Sequence, residues 1–405
     1  MKKETPSLRE KRSNSSEKAS SLREKRSNPI KTLILIFIAL GICGFIFRGW
    51  IAAPSARNDN TETKPTIKIG ATFPLTGDGA EAGQSAKAGM EMMLEDLQKK
   101  NLKYNYELIF EDNQMVPVKT ATTANKLINV DEVKVIFAHW GLMANVAADI
   151  ADKKGIVGMF VSYGENATKG DYNFNFMPSY EQQAQKMVEE LKKRNVKSVA
   201  LFIDNSDIRN QFDALINEIN NNSDIKVAFK EYFNVGEKDY RMSIAKAKES
   251  NPDMYIISGY PPSPLIFIKQ LKEITGRNDN VTSIDSIAEM NLSDLYIANN
   301  LWYIDTNQQG LKQFQDELLE RKGIEAGSCS GHVTSNLQVI VAAFENAKIE
   351  EGEVFPSNEA IKNWIFDNVK GFDTISGKAT VINNGLITVP VSVKKIIDGK
   401  SVFLN

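Results

Sequence analysis

"IGATFPLTGDGAEAGQSAKAGMEMML", residues 69–94, joins an apolar strand-like run to a small-residue helix-like run through a turn that holds Gly77 and Gly79. Gly77-x-Gly79-x-x-Ala82 has the outline of a dinucleotide fingerprint. That fingerprint needs its first glycine at the strand end and an acidic residue about 20 positions on, at the end of the next strand. Here Pro74-Leu75-Thr76 intervene, and the next strand-like run closes at Glu111-Asp112, more than thirty positions after Gly77. The spacing misses. A glycine turn ahead of a helix still has two readings. Gly77, Gly79 and Gly83 let backbone come close to a ligand, and free N–H groups at the helix start favour anionic groups. Alternatively, Ala80, Ala82, Ala86, Ala88 and Gly89 form a face for close packing. Both stay open here.

Outward from this turn the chain alternates regularly. "TIKIGATF" (66–73) reads as a strand, 80–100 as a helix with Met90, Met93, Leu94 and Leu97 on one stripe, and "YNYELIFED" as a strand. A helix at 117–130, the strand "VKVIFAH", a helix at 143–154 and the strand "GIVGMFVSYG" follow. After Tyr172 the pattern restarts with helices at 180–194, 207–222, 238–250 and 263–275. Between and after them come the strands "KSVALFID", "IKVAFKEYF", "DMYIISGY" and "VTSID". Short apolar runs separated by helices of ten to fifteen residues indicate parallel sheets covered on both faces. The fold class is therefore α/β, with two doubly wound parallel-sheet lobes. Helices at 333–348 and 358–369 come later. "GKATVINNGLITVPVSVKKIIDGKSVF" then reads as antiparallel strands, with hairpin turns at Asn383-Asn384-Gly385 and Asp398-Gly399.

The 405 residues are 42% hydrophobic and 25% charged, enough for two cores of ordinary size. The net charge of −2 is unevenly spread: residues 1–31 hold ten Lys/Arg against four Glu, a net +6, which leaves −8 on residues 32–405. The mildly acidic body gives no sign of a nucleic-acid partner. Residues 1–31 are polar, free of aromatics, and repeat the octet SLREKRSN at 7–14 and 21–28. Such a segment buries too little apolar surface to offset its ordering entropy and is expected to be disordered.

Next comes "TLILIFIALGICGFIF" (32–47), uncharged and closed by Arg48. It is short of the ~20 residues that span a bilayer comfortably, but Gly49–Ala53 extend it and Arg48 snorkels. Positive charge ahead of it places the N-terminus in the cytoplasm and the body outside. Residues 32–53 are expected to be an uncleaved signal anchor in preference to a cleaved signal peptide. Lipidation at Leu40-Gly41-Ile42-Cys43 ranks third, since Ile42 is large for a lipobox. Residues 54–65 form a polar linker. Only Cys43 and Cys329, and only His139 and His332, are present, so no disulfide framework or zinc or haem cluster is expected and no cofactor is implied. "CSGH" (329–332) brings Cys, Ser and His close in sequence, which is little evidence for catalysis, because catalytic groups usually converge from separate segments. Gly-x-Ser-x-Gly and Gly-x-x-x-x-Gly-Lys-Ser/Thr are absent, and no enzyme activity is expected.

"IKIGATFPLTGDGAEAGQSAKAGMEMML", "ELIFEDNQMVPVKTATTANKLINVDEVKVIFAH" and "GFDTISGKATVINNG" followed by "VKKIIDGKSV" occur in the order seen in a known family. They resemble the type I periplasmic binding proteins of ABC transporters, of the leucine/isoleucine/valine type. The resemblance covers about residues 66–403. It implies two lobes joined by a three-segment hinge that closes like a Venus flytrap. Lobe 1 would be 66–178 with about 301–355, and lobe 2 would be 179–300 with about 372–405.

In open α/β sheets a ligand lies beyond the carboxyl ends of the strands, so the loops there are the candidates. These are Leu75–Gly79, His139–Met143 and Ser162–Ala167 in lobe 1, and Asp204–Ile208, Gly259–Pro262 and Ser283–Ile287 in lobe 2. The ligand-binding candidates are Leu75, Gly77, Trp140, Gly141, Ser162, Tyr163, Tyr260 and Asp285. By the resemblance, Tyr260 and Asp285 match the tyrosine and acid that hold an α-ammonium. Read on its residues alone, Asp285 also suits a helix N-cap and Tyr260 a wall of the cleft. "HWGLMANV" lacks, at Gly141-Leu142-Met143, the hydroxyls with which the family's amino-acid binders hold a carboxylate. Ser162 supplies one hydroxyl nearby, Trp140 is either a platform for an apolar ligand part or core, and Ile208 stands where the family usually has a tyrosine. The resemblance implies a solute-binding protein that delivers an amino acid or related metabolite to an ABC permease. The alternative is a membrane-tethered sensor using the same lobes without transport. An aromatic acid, an amide or a short peptide fragment is also compatible with the lobe-1 departures.

Overall fold

The computed structural model describes residues 64–404, except 78, 164, 207, 260–261, 278, 286, 288–294, 307–310 and 328. The basic segment 1–31, the hydrophobic segment 32–53, most of the linker and the candidate Tyr260 lie outside the described residues. Among the described residues, no helix is long and apolar enough to cross a membrane.

Strands β1 (Thr66–Phe73), β2 (Asn105–Asp112), β3 (Val135–His139), β4 (Val157–Val161) and β5 (Asn173–Phe176) run parallel in the spatial order β2-β1-β3-β4-β5. Helix α1 (Ala80–Gln98) connects β1 to β2, α2 (Pro117–Asn129) connects β2 to β3, and α3 (Gly141–Lys154) connects β3 to β4. The second lobe repeats this order. Its helices α4 (Tyr180–Lys193), α5 (Arg209–Asn222), α6 (Arg241–Glu249) and α7 (Ser263–Thr275) alternate with β6 (Ser198–Asp204), β7 (Lys226–Phe233), β8 (Met254–Ile257) and β9 (Val281–Ile284). With β10 (Trp302–Asp305) these strands lie in the order β7-β6-β8-β9-β10. Helices cover both faces of each sheet. In lobe 1, one face packs Ile67, Phe73, Met90, Phe137 and Leu337, and the other packs Leu127, Ile136, Ala147 and Phe160. The central strands β3, β4, β8 and β9 are buried along their whole length, whereas edge strand β7 alternates exposed and half-buried residues. That contrast follows from position in the sheet.

Three passages join the sheets. The first runs from β5 to α4, where Ser179 and Gln182 form a capping box as the chain enters lobe 2. The second leads from β10 back to α8 (Leu311–Lys322), which packs Leu311, Phe314 and Leu318 against Ala88 and Met92 of α1. Helices α9 (Ser330–Asn346) and α10 (Asn358–Asn368) follow on lobe 1. The third passage lies between β13 (Leu386–Thr388) and β14 (Ser392–Ile397) and runs beside the first. Met177 N–H donates to Ile387 O at 2.9 Å and Ser179 N–H to Thr388 Oγ1 at 3.2 Å.

The boundaries expected at 301 and 372 are displaced. β10 pairs with β9 in the second sheet, so residues 302–305 belong there. β11 (Lys370–Thr374), β12 (Gly377–Val381) and β13 extend the first sheet, because β13 pairs in parallel with β5. Only β14 and β15 (Lys400–Phe403) belong to the second sheet, through the antiparallel pairing of β14 with β10. The two C-terminal hairpins thus close the edges of different sheets, and hydrophobic alternation carries no information about which edge a hairpin joins.

Lys394 of β14 places its Nζ 2.7 Å from the carboxylate of Asp305, whose side chain is fully buried. Removing the cation strands a buried charge. Lys394→Met is expected to cost about 3–5 kcal/mol, with much of it recovered on adding Asp305→Asn. Urea unfolding of the two variants checks this, and an unchanged midpoint for Lys394→Met refutes it.

Candidate functional site

The order of each sheet reverses between its first and third strands, which opens a crevice at their carboxyl ends. In lobe 1 that crevice lies between the turns after β1 and β3. Asp112 at the end of β2 organises the first turn. Its carboxylate accepts from Leu75 N at 2.8 Å, Gln114 N at 2.9 Å, Thr76 N at 3.3 Å and Thr76 Oγ1 at 2.5 Å. Burial pushes the Asp112 carboxyl up, but these donors outweigh it and hold it below the usual carboxylate range. The Leu75 and Thr76 N–H groups are thereby directed to Asp112.

The glycines divide by role. Gly77 has φ +81° and open space at its Cβ position, as a turn demands. A Cβ on Gly83 would lie 2.0 Å from Pro74 O, and one on Gly79 would lie 2.9 Å from the Trp140 ring. Of the two readings left open by the sequence, Gly83 thus follows the packing one. The Trp140 ring covers the start of α1.

Trp140 itself has φ +70° and ψ 129°, a costly backbone for a bulky residue, pinned by donation from its N–H to Val161 O at 2.9 Å. The ring is half-buried and packs against the lobe-1 core. Beneath it His139 is fully buried, its ring 4.9 Å from Phe73 and 5.5 Å from Trp140 between centroids, and neither nitrogen has a hydrogen-bond partner among the described residues. Burial lowers its pKa to about 4, which keeps the imidazole neutral at ordinary pH. Gly141 opens α3 and Leu142 is exposed. Ser162, after β4, is buried. Asn175 clamps its backbone, accepting from Ser162 N at 2.9 Å and donating to Ser162 O at 3.0 Å, while Ser162 Oγ donates to Tyr163 O at 3.2 Å.

In lobe 2 Asp285 follows β9 directly. It has φ +59° and is 4% exposed, with its N–H donating to Ile304 O at 2.7 Å. Its Oδ1 accepts from Thr306 Oγ1 at 3.0 Å and from Thr306 N at 3.4 Å, and its Oδ2 accepts from the hydroxyl of Tyr163, across in lobe 1. This bond brings the carboxyl ends of β4 and β9 together. Burial, followed by the charge of nearby Asp305, pushes the Asp285 carboxyl up to about 6, against the pull of Tyr163 and Thr306. Buried Tyr303 and His332 both feel the charge of Asp305. Burial raises the Tyr303 phenol well above its ordinary value and lowers His332 to about 4. Gly259 has φ +126° just before Tyr260, and the Asp204 N–H donates to Ser258 Oγ at 2.7 Å. Ile208 is buried in the lobe-2 core.

Of the eight candidates, the structure joins Tyr163 directly to Asp285 and sets Trp140 over the glycine turn, while Leu75 N–H and the Ser162 hydroxyl proton have protein partners. Sequence reasoning missed Asp112 as the anchor of the turn, and Asp305 and Thr306 as neighbours of Asp285. A signal was available: Ile-Asp recurs at the close of three lobe-2 strands, with Asp204 and Asp305 as last residues and Asp285 just after β9.

Residues 66–400 match the family described as periplasmic binding protein. The leucine-, isoleucine-, valine-, threonine- and alanine-binding protein of Pseudomonas aeruginosa is 26% identical over 247 residues, a match spanning 59% of this chain and 62% of that protein. A leucine-binding protein of Thermotoga maritima has a similar structure, with TM-score 0.69 at 20% identity over 84% of this chain and 98% of its own. A solute-binding protein of Rhodopseudomonas palustris, solved with 3,4-dihydroxybenzoic acid, gives TM-score 0.66 at 16% identity over 84% and 96%. At these identities the two structures speak for the fold alone.

The packing at the turn makes a checkable contrast. Gly83→Ala drives a Cβ into backbone and is expected to cost about 3 kcal/mol, whereas Gly77→Ala meets only an unfavourable φ and costs about 1 kcal/mol. Equal losses in urea unfolding would refute this division of roles.

Proposed function

The chain belongs to the periplasmic binding protein family, and on that premise we propose that its body captures a small polar metabolite, an amino acid or related compound, by closing its lobes. It then delivers that solute to an ABC permease, with residues 32–53 tethering the body on the extracytoplasmic face of a membrane. The observation that carries this reading is the Asp285 carboxylate, buried where the two lobes meet. An ammonium group there gains a charge-assisted bond in a place shielded from water. The Trp140 and Tyr163 rings offer apolar walls for a side chain.

A second reading, an aromatic acid as ligand, is favoured by the missing hydroxyl cluster at Gly141-Leu142-Met143 and by the engagement of the Ser162 hydroxyl. The Rhodopseudomonas palustris protein shows that this fold accepts such a ligand. Thermal-shift measurements on the full chain in detergent separate the two. A ligand at 100 times its Kd adds about 2.7 kcal/mol of stability. A selective shift with amino acids, lost in Asp285→Asn through a drop in affinity of about 10- to 100-fold, supports the first reading. A shift with aromatic acids alone, indifferent to Asp285→Asn, overturns it.

The pH dependence has a definite sign. Asp285 must be ionised to hold an ammonium, and its carboxyl in the empty site is raised to about 6. Bound ammonium lowers that pKa, so binding releases a proton, and affinity is full above about pH 6 and falls as pH drops through it, by about tenfold per unit. Thr306 and Tyr163 donate to the carboxylate, Asp305 acts on it as a like charge and Tyr303 feels its charge, while Lys394 faces Asp305. His139 and His332 titrate near 4, outside this window. Calorimetric titrations with the amino acid selected by the shift screen, between pH 5 and 8, check this. A flat profile refutes it.

A further inference from the structure

We propose that Tyr163 is a built-in occupant of the Asp285 site: its hydroxyl holds the two lobes together when no ligand is bound, and it must leave Asp285 for a ligand's cationic group to enter. The inference rests on the solute-binding reading above and says how that site is regulated. Tyr163 belongs to lobe 1: it comes two residues after β4 and packs half-buried against the lobe-1 core. Its hydroxyl belongs to lobe 2, where it donates to Asp285 Oδ2, 122 residues further along the chain. A tyrosine of one lobe thus reaches the carboxylate of the other without any intermediary.

The requirements of Asp285 explain why the hydroxyl is there. A carboxylate that is 4% exposed needs donors on both oxygens, because a buried charge without them is strongly disfavoured. Thr306 serves Oδ1 from the same lobe, through its hydroxyl and its N–H. Among the described residues, the donor to Oδ2 is Tyr163. The Asp285 backbone, at φ +59° and tied to Ile304 O, holds the side chain toward the facing lobe, so Oδ2 cannot turn away to find a donor in lobe 2 without releasing Thr306. Asp305 is close by but is occupied with Lys394, so that cation is already committed.

A phenol hydroxyl and an ammonium both donate to a carboxylate, and Oδ2 cannot serve as the principal acceptor of both in one closed cleft. The two therefore compete. The ammonium forms the stronger bond because it carries a full charge. Tyr163 thereby sets a threshold: a solute binds only when its contacts outweigh the bond it displaces. The same bond favours a closed empty protein, so the bound-like state exists before ligand arrives.

The test uses the full chain in detergent and compares wild type with Tyr163→Phe, which keeps the ring and removes the donor. Two readouts are needed. Amide hydrogen exchange on the ligand-free protein is expected to quicken several-fold at 157–163 and 281–306, because the lobes part more often. L-leucine, the probe, is expected to bind about tenfold more tightly to Tyr163→Phe. Unchanged exchange at both segments overturns the proposal. Weaker L-leucine binding by the variant also overturns it, since the hydroxyl would then be a ligand contact and not a competitor. If exchange quickens but neither protein binds L-leucine or any other amino acid, the latch stands and the amino-acid reading falls. Asp285→Asn guards against a general loss of packing: it is expected to quicken exchange at the same two segments and leave β1–β3 unaffected, and spread of the effect into β1–β3 in both variants overturns the latch.

Discussion

Two largely parallel sheets covered by helices on both faces leave polar side chains few places but the strand ends, and the organisation of this protein depends on that constraint. β3, β4, β8 and β9 are buried from end to end. Burying a polar group without a partner is costly, so β3 is apolar up to its last residue and β4 throughout, and Thr282 within β9 donates its hydroxyl to Trp302 O at 2.7 Å. His139 ends β3, Ser162 follows β4, Ser258 follows β8 and Asp285 follows β9. The crevice where strand order reverses is thus both a polar margin of each sheet and the natural place for a ligand.

Asp285 and Asp305 illustrate how the same residue type at neighbouring strand ends acquires different chemistry. Asp305 has an ammonium 2.7 Å away, from β14, and serves to fasten that strand to the sheet. Among the described residues, Asp285 has hydroxyl and N–H donors; it feels Asp305 as a like charge and carries a carboxyl raised to about 6. The Asp305–Lys394 pair is complete within lobe 2, whereas the Asp285 set is completed only from the opposite lobe. A carboxylate arranged in that way rewards closure. The strained backbones support this view: Trp140 at φ +70° and Asp285 at φ +59° stand just past the carboxyl ends of β3 and β9, and such strain persists only where surrounding bonds over-determine it.

Much of the fold was legible because burial on both faces writes itself as unbroken apolar runs. The strands from β1 to β4 and from β6 to β9, and the helices between them, follow from periodicity alone. β5 and β10 were not read, and their sequences explain why: "NFNF" alternates with asparagines that make structural bonds, and "WYID" is four residues long. α8 is strongly charged along "LKQFQDELLERK", with only Leu311, Phe314 and Leu318 buried. The sheet membership of β11–β13 depends on pairing with β5, a contact of more than 200 residues' separation that no local pattern encodes. At the site, Asp285 and Tyr163 were each legible as strand-end residues, but their bond was not, because it depends on how far the lobes close. Asp112 was visible as an acid at the end of β2, too far from Gly77 for a dinucleotide fingerprint; its partner is the backbone of the turn.

Magnitudes decide what the Tyr163–Asp285 bond can do. A hydrogen bond to a charged group contributes about 1.5–3 kcal/mol, while a ligand held at micromolar Kd gains about 8 kcal/mol. The bond is too weak to bar such a ligand and strong enough to shift a two-state equilibrium by roughly 10- to 100-fold. The first and third passages between the sheets run side by side, tied at Met177–Ile387 and Ser179–Thr388. Closure then trades solvent around one carboxylate for a single directed donor. A solute that supplies a better donor at that point inherits a cleft already shaped for it.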